Sequence, residues 1–185
     1  MPARYLFLDE VDGYPLDVDS EGDPINLAIK RTQTFSQKRK IFMISTPTIK
    51  GLSRIERAFE ETDQRYYHVP CPHCGTKQTI TWSKIRWHDN DPETAHCVCQ
   101  HCYGEIEEHH KNSILQKGEW IASVPESKNV GFHLSGLYSP SEWYPWSKCV
   151  EEYLVAKEES ALLKTWVNTA LGETWDQPGT QVDSN

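Results

Sequence analysis

The sequence predicts an α/β fold: part of a parallel sheet with crossover helices, then a small β module of the zinc-ribbon type, then a C-terminal helical segment. Short apolar runs alternate with helical segments over residues 1–62, which is typical of parallel strands joined by crossover helices. Farther along, four cysteines form two Cys-x-x-Cys pairs, a pattern typical of a zinc ribbon.

Length and charge limit the classes of protein that fit. The chain has 185 residues, of which 37% are hydrophobic, enough for one domain or two small ones. The 27 acidic residues outnumber the 19 basic ones, so the net charge is −8, which argues against a protein that binds DNA through a broad basic face. No apolar run reaches membrane-spanning length. We therefore expect a cytoplasmic protein without a membrane segment.

Two short apolar runs, residues 4–10 and 41–45, predict strands that are buried on both faces. Both strands end in polar side chains: Asp9, Glu10, Ser45 and Thr46. The carboxyl ends of parallel strands form the functional edge of such a sheet. We therefore expect these four side chains to lie at one edge.

A buried strand that ends in Asp-Glu is suited to nucleotide hydrolysis. Asp9 would hold Mg²⁺, and Glu10 would take the proton of the attacking water. The hydroxyls of Ser45 and Thr46 would sense a γ-phosphate from the neighbouring strand. A solvated strand end without chemistry is the alternative reading of the two acids.

Local signals place two helices between and after these strands. Asp23, which precedes a proline, predicts the N-cap of a helix that extends to about Phe35. Ser53 with Glu56 three residues later predicts a capping box and a helix to about residue 61.

The cysteine pairs predict a closed metal site, and the four proposed ligands are Cys71, Cys74, Cys99 and Cys102. Four thiolates suit a tetrahedral Zn²⁺, and a closed ligand set predicts a structural rather than a catalytic ion. We expect short strands over residues 65–107, with the metal in place of a hydrophobic core.

Other assignments of the sulfur chemistry stay open. Disulfides or unliganded thiols are one alternative, although an intracellular chain keeps thiols reduced. A fifth thiol, Cys97, is expected to pack beside the metal without binding it, whereas Cys149 is expected to be a buried apolar residue. Four histidines near the pairs are alternative ligands: His73, His96, His101 and His109.

The last third of the chain predicts helices and packed aromatic residues. Helices are expected over residues 108–116, 147–158 and 160–171, and residues 131–140 should form a packed strand or an ordered loop. We expect a flexible tail over residues 177–185. The tryptophans are expected to serve packing rather than base stacking. Arg31 is either a surface ion-pair residue or an arginine that reaches a neighbouring subunit's phosphate.

Seven segments carry a resemblance to a known family. In chain order they are LFLDEVDGYP (6–15), EGDP (21–24), ISTPT (44–48), SRIE (53–56), VPCPHCG (69–75), GFHLSGLYSP (131–140) and NTALGETW (168–175). Together they closely resemble the large terminase subunit of lambda-like tailed phages, the GpA-type packaging ATPase, over about residues 4–176.

The resemblance implies a central fragment of a motor that drives viral DNA into procapsids. It makes residues 1–68 the C-terminal half of a P-loop-type ATPase core, residues 69–118 the zinc ribbon, and residues 119–176 a segment that leads to a nuclease outside this chain. Asp9 and Glu10 match the family's Walker B acids. Ser45 and Thr46 match its coupling motif, and Cys71, Cys74, Cys99 and Cys102 match its paired cysteines.

The resemblance also implies what the complete motor would contain. A phosphate-binding Gly-x-x-x-x-Gly-Lys-Ser/Thr loop does not occur in the sequence, so we expect it upstream, with Mg²⁺ and ATP bound only in the complete motor. The implied partners are the missing terminase halves, the small terminase subunit, the portal and procapsid, and double-stranded DNA. The implied location is the host cell cytoplasm.

Two further functions stay open beside an enzyme that is inactive alone. One is a non-catalytic zinc-ribbon module that binds DNA or a protein partner. The other is a helicase-like fragment, which shares the Asp-Glu strand but leaves residues 131–140 unexplained.

Overall fold

The computed structural model describes residues 2–176, and these form a mixed α/β fold with three small sheets. The structure confirms the predicted α/β class as a mixture of helices and small sheets. The tail expected over residues 177–185 lies outside the described residues. Within this part of the chain, no helix combines the length and the hydropathy that a membrane crossing requires.

The first sheet consists of two parallel strands, β1 (Tyr5–Asp9) and β2 (Lys40–Ile44). Helix α1 (Pro24–Lys30) lies between them in the chain, and helix α2 (Arg54–Glu60) follows β2. The predicted helix to Phe35 is shorter than expected, because α1 ends at Lys30 and a separate 3₁₀ turn covers Gln33–Phe35.

The prediction that both strands are buried on both faces is wrong. Leu8 is 6% exposed and packs with Val11 and Ile25, whereas Phe7 is 77% exposed and Phe42 is 50% exposed. The two phenylalanine rings lie 6.2 Å apart, centre to centre, on the opposite face. Among the described residues, the hydrophobic cluster covers only the Leu8 face, so each strand is buried on one side.

Side-chain caps begin both helices. The carboxylate of Asp23 accepts a hydrogen bond from the amide of Ile25, as the sequence predicted. The hydroxyl of Ser53 likewise accepts from the amide of Glu56 at 3.1 Å. The reciprocal half of the predicted capping box is absent in this region, because the Glu56 carboxylate accepts instead from the Gly51 amide at 2.8 Å.

Short antiparallel strands follow, as predicted for residues 65–107. Strand β3 (Arg65–Pro70) pairs with β4 (Lys77–Gln78). The third sheet is an antiparallel meander of three strands: β5 (Ile85–His88), β6 (Asp91–Val98) and β7 (Glu105–Glu107).

Strand β3 also belongs to the following part of the chain. It pairs antiparallel with β8 (Glu119–Ala122) and parallel with β9 (Phe132–His133). A 3₁₀ turn at Gly136–Tyr138 follows β9. The segment 131–140 is therefore a short strand followed by an ordered turn.

Three helices complete the described chain: α3 (Lys111–Leu115), α4 (Trp146–Ala156) and α5 (Ser160–Trp166). A 3₁₀ turn precedes α3, and α5 continues into a π-helical turn, Val167–Leu171. The turn ends at Gly172, whose φ of +64° is a left-handed conformation that glycine adopts without steric cost.

The expectation that a metal replaces the core of the ribbon is wrong. Ile85 and Ile106 from the meander are 1% exposed and share one hydrophobic cluster with Trp146, Val150 and Trp166. Because helix α4 packs against strand β6, the small hairpins bury apolar side chains against the helices. Cys149 of α4 lies in the same cluster and is fully buried, as predicted.

Most of the tryptophan contacts in the described chain are packing contacts, as predicted. The rings of Trp82 and Trp166 lie 4.6 Å apart, and Tyr153 and Trp87 pack beside them. Trp143 is an exception, with 82% of its surface exposed.

Candidate metal centre and strand-end site

The fold brings the sulfur atoms of the two Cys-x-x-Cys pairs together. Within the four, all sulfurs lie within 4.8 Å of one another. Sγ of Cys71 is 3.8 Å from Sγ of Cys102, and Sγ of Cys74 is 3.9 Å from Sγ of Cys99. A tetrahedral zinc with Zn–S bonds of about 2.3 Å requires sulfurs about 3.8 Å apart. The arrangement therefore fits this ion.

The first Cys-x-x-Cys pair, Cys71 and Cys74, lies in a tight backbone turn, which we call the first knuckle. The amide of Cys71 donates to the carbonyl of Thr76, and the amide of Gly75 donates to the carbonyl of Cys71, both at 2.9 Å. Gly75 has a φ of +74°, which closes the turn. This geometry keeps the side chains of Cys71 and Cys74 on the inner side of the turn.

The second knuckle repeats the same hydrogen bonds with a different residue at the closing position. The amide of Cys99 donates to the carbonyl of Gly104 at 2.9 Å, and the amide of Tyr103 donates to the carbonyl of Cys99 at 3.2 Å. Tyr103 itself has a φ of +61°. A non-glycine residue in this conformation costs about 1–2 kcal/mol, so the closed turn is formed against local strain.

Backbone amides point at the sulfurs and favour thiolates. The amide of His73 lies 3.4 Å from Sγ of Cys71, and the amide of His101 lies 3.4 Å from Sγ of Cys99. Hydrogen bonds from Thr76 lower the pKa of Cys74 to about 6, whereas burial raises the pKa of Cys71 to about 12. Four thiolates this close repel one another, so a cation is needed for all to be charged together.

The alternative sulfur assignments fit the geometry less well. All six cysteines are free, and the separations of 3.8 and 3.9 Å are far longer than the ~2.05 Å of a disulfide bond. Burial, together with the neighbouring Cys99 and Cys71, raises the pKa of Cys97 to about 12. Cys97 therefore lies beside the four sulfurs as a buried neutral thiol.

Two of the alternative histidine ligands are engaged elsewhere. The ring of His73 lies 2.7 Å from the carbonyl oxygen of Glu105, and the ring of His109 lies 3.0 Å from the carboxylate of Glu107. His96 belongs to a separate group of side chains on the meander.

The parallel strands end together, so the predicted polar residues follow neighbouring strand tips. Asp9 and Ile44 are paired in the sheet, and Glu10 and Ser45 come next on each strand. Asp9 and Glu10 are both exposed. In the described part of the chain, neither carboxylate has an ion-pair partner.

Glu10 leaves strand β1 in a strained conformation. Its φ of 52° and ψ of 47° are left-handed, which is uncommon for a residue with a long side chain. The turn that follows is closed by a hydrogen bond from the Gly13 amide to the Glu10 carbonyl at 2.9 Å. Strained backbone of this kind is concentrated at functional sites in proteins.

Asp12 connects the two strand ends, a role that no motif in the sequence predicts. Its carboxylate accepts from the amide and the hydroxyl of Thr48, at 3.0 and 2.8 Å, and from the amide of Ile55 at 2.8 Å. Its own amide donates to the hydroxyl of Ser45 at 3.2 Å. The available signal was an acidic residue before glycine, which is typical of a side chain that organises a turn.

Ser45 and Thr46 follow β2 at the expected edge. The Ser45 hydroxyl accepts from Asp12 and donates to the carbonyl of Thr46 at 3.1 Å. Among the described hydrogen bonds, the connection from these residues to the first strand passes through Asp12 rather than through Asp9 or Glu10.

The loop after β2 is also joined to the end of the described chain. The carbonyl of Thr48 accepts from the Trp175 amide and from the Asn168 side chain, both at 2.8 Å. The amide of Lys50 donates to the carbonyl of Trp175 at 3.1 Å. Residues 168–175 therefore pack against the loop that Asp12 holds.

Comparison with known proteins defines the class of protein to which this arrangement belongs. Residues 1–120 match the family described as "Phage terminase large subunit gpA, ATPase domain". Residues 129–185 match "Terminase large subunit gpA, endonuclease domain", so that match begins inside the segment expected to precede the nuclease. The chain belongs to the phage terminase large subunit gpA family.

Two curated relatives agree with this assignment. The large terminase subunit of Enterobacteria phage P21 is 33% identical over 91% of this chain, and that of Escherichia phage lambda is 30% identical over 91% of it. The chain spans 30% of the length of each relative. No solved structure matches the chain.

Proposed function

We propose that this chain contributes the catalytic acids and the coupling loop of an ATP-driven motor that packages viral DNA. The observation that carries the proposal is the parallel pairing of β1 with β2, in which Asp9 lies beside Ile44 and the polar residues follow at the same edge. Membership of a family with ATPase and endonuclease domains supports it.

The roles of the two acids follow from their chemistry and exposure. Asp9 would hold the Mg²⁺ of Mg-ATP, because carboxylate oxygens are the ligands that this ion prefers. Glu10 would take a proton from the water that attacks the γ-phosphate. The oxygens of Asp12 are occupied by backbone and hydroxyl donors, so Asp12 would position the edge rather than contact nucleotide.

Ser45 and Thr46 would transmit the state of the nucleotide. A displacement at the tip of β2 reaches Asp12 through the Ser45 hydroxyl, and it reaches the Trp175 segment through the carbonyl of Thr48. Trp175 lies in the part of the chain that matches the endonuclease domain. This contact offers a physical route between hydrolysis and the nuclease part of the motor.

The four knuckle cysteines, Cys71, Cys74, Cys99 and Cys102, would bind one structural Zn²⁺. Their separations match tetrahedral geometry, and a set of four protein ligands leaves no position for a reacting water. The bound ion would connect the β3–β4 hairpin to the turn between β6 and β7.

The complete motor would act in the host cytoplasm. Its partners would be the rest of the large subunit, the small terminase subunit, the portal of the procapsid and double-stranded DNA. Because the sequence contains no phosphate-binding P-loop, we expect the isolated chain neither to bind ATP at micromolar concentration nor to hydrolyse it.

A chimera tests the catalytic proposal. Residues 2–176 would replace the matching segment of the lambda large subunit, and ATP hydrolysis would be compared with that of the isolated chain. We expect hydrolysis in the chimera alone. Glu10→Gln should lower kcat by about 10²- to 10⁴-fold, the usual contribution of a general base. Glu21→Gln, an exposed acid in the following loop, is the matched control. Equal rates for the two variants would refute the role of Glu10.

Metal analysis tests the zinc proposal independently. The chain purified with zinc should retain one tightly held ion per molecule after dialysis. Cys99→Ser should abolish its retention, whereas Cys97→Ala should not. Retention by Cys99→Ser, or its loss in Cys97→Ala with the fold intact by circular dichroism, would contradict the four-cysteine assignment.

A further inference from the structure

A second group of metal-ligating side chains lies on the β5–β6–β7 meander. His88, His96 and Glu105 come from the three different strands, and one ligand atom from each lies within 4.8 Å of the others. His96 is 6% exposed, whereas the other two side chains are exposed. His96 is therefore the buried member of the group, whereas His88 and Glu105 are accessible to solvent.

The local fold directs His88 towards this group. The pairing of β5 with β6 shifts register between Arg86 and His88, and a shift in register changes the side of the strand to which the following residue points. Asp89 and Asn90 then close the hairpin with φ values of +50° and +57°. The ring centres of His88 and His96 lie 5.4 Å apart as a result.

Thr94 holds both histidine positions. Its hydroxyl accepts from the amide of His88 at 2.8 Å, and its carbonyl oxygen lies 2.9 Å from Nδ1 of His96. A carbonyl can only accept, so Nδ1 of His96 carries the hydrogen, and in the neutral ring the lone pair lies on Nε2. Metal-binding histidines are commonly oriented in this way, with the second ring nitrogen bonded to a carbonyl.

The second ring nitrogen of His96, Nε2, faces a carboxylate at a distance that a hydrogen bond does not explain. Nε2 of His96 lies 3.9 Å from Oε1 of Glu105, too far for direct bonding. Metal–ligand bonds of about 2.0–2.2 Å at a tetrahedral angle separate two ligand atoms by about 3.4 Å. The Glu105 side chain is exposed, and a movement of its carboxylate by about half an ångström would bring the 3.9 Å separation to the 3.4 Å that a bound metal requires.

We propose that His88, His96 and Glu105 bind a second divalent transition-metal ion, distinct from the four-cysteine zinc. Two imidazoles and one carboxylate suit Zn²⁺, Co²⁺ or Ni²⁺ better than Mg²⁺, which prefers oxygen ligands. Three protein ligands leave a coordination position for water or an external ligand. Bound metal would connect all three strands of the meander. Only these three side chains form the site, so metal binding there does not depend on the ATPase role proposed for the chain.

Zinc titration of the full 185-residue chain tests the site. We expect two zinc ions per chain, the second bound more weakly and released by dialysis. His88→Ala and Glu105→Gln alter exposed side chains, so both variants should fold, and each should weaken the second ion at least tenfold while the first is retained. His109→Ala and Glu107→Gln remove a neighbouring exposed pair and should leave both ions bound.

The absorption spectrum of bound Co²⁺ distinguishes binding at this site from binding at the four cysteines. Co²⁺ added to the zinc-loaded chain should give the weak absorption of nitrogen and oxygen ligands, without the intense sulfur-to-cobalt band, and His88→Ala should remove it. The proposal is overturned if the chain takes up only one ion, if the His88→Ala and Glu105→Gln variants bind the second ion as tightly as the unaltered chain, or if His109→Ala weakens it equally.

Discussion

The substitution Asp12→Asn removes the charge that holds the two strand ends together while it keeps the size of the side chain. The carboxylate accepts three hydrogen bonds, two from Thr48 and one from the amide of Ile55. Asparagine has one acceptor oxygen and one NH₂ group. Whichever way the amide is turned, its NH₂ group faces a donor on Thr48 or on Ile55.

The expected cost follows from these contacts. A hydrogen bond to a charged group contributes about 1.5–3 kcal/mol, and a neutral one about 0.5–1.5 kcal/mol. The two Thr48 bonds are exposed, whereas the Ile55 bond is partly buried, so the upper values do not apply to all three. We expect Asp12→Asn to lower the free energy of unfolding by about 1.5–3 kcal/mol.

Urea unfolding of the zinc-loaded chain, followed by circular dichroism, measures this change, and hydrogen exchange of the Ile55 amide measures it locally. Glu21→Gln removes an equal charge from the exposed loop and should change stability by less than about 0.5 kcal/mol. Thr48→Ala should cost about 1 kcal/mol, and the double variant should show a coupling of at least about 0.5 kcal/mol. If Asp12→Asn changed the free energy of unfolding no more than Glu21→Gln does, and left hydrogen exchange at the Ile55 amide unchanged, the reasoning would be refuted.

Two further changes test other parts of the fold. Tyr103→Gly should stabilise the zinc-loaded chain by about 1 kcal/mol, because glycine adopts the left-handed conformation without strain; a thermal melt measures this, and a lower melting temperature would contradict it. Burial alone would raise the pKa of Asp63, but hydrogen bonds from Arg65 and Gly131 outweigh it and lower that pKa below 3.8. The folded state therefore binds fewer protons, and this stabilisation is complete above about pH 4 and is lost as the pH falls further. Asp63→Asn should lack this loss, so the unfolding free energies of the two proteins should converge on acidification; parallel curves would contradict the assignment.

Local chemistry made several elements predictable. Asp23 and Ser53 cap helices as expected, because a cap depends only on residues within one turn. The two Cys-x-x-Cys turns were also recognisable, because their geometry repeats within six residues. The spans of the two parallel strands, β1 and β2, were predicted within about one residue, since each is a short apolar run between turn residues.

Other features depend on partners that are distant in the chain. The exposure of Phe7 and Phe42 was mispredicted, because an apolar run does not indicate how many faces of a strand are covered. The capping carboxylate of Glu56 bonds Thr174 at 2.6 Å, 118 residues away, as well as Gly51. The tertiary contact thus redirected a side chain whose local pattern predicted a different bond.

The sequence by itself determined the strand–helix–strand–helix order of residues 1–62, the Asp-Glu strand end and the four cysteines that can bind zinc, because these are carried by residue type and short spacing. Only the tertiary structure decided that Asp12 joins the strand ends, that Trp175 packs on the loop after β2, and that His88 lies beside His96 after a shift in strand register. These depend on register and on contacts between distant segments. A shift of one residue in a strand reverses the side that a residue faces, so spacing alone could not determine them.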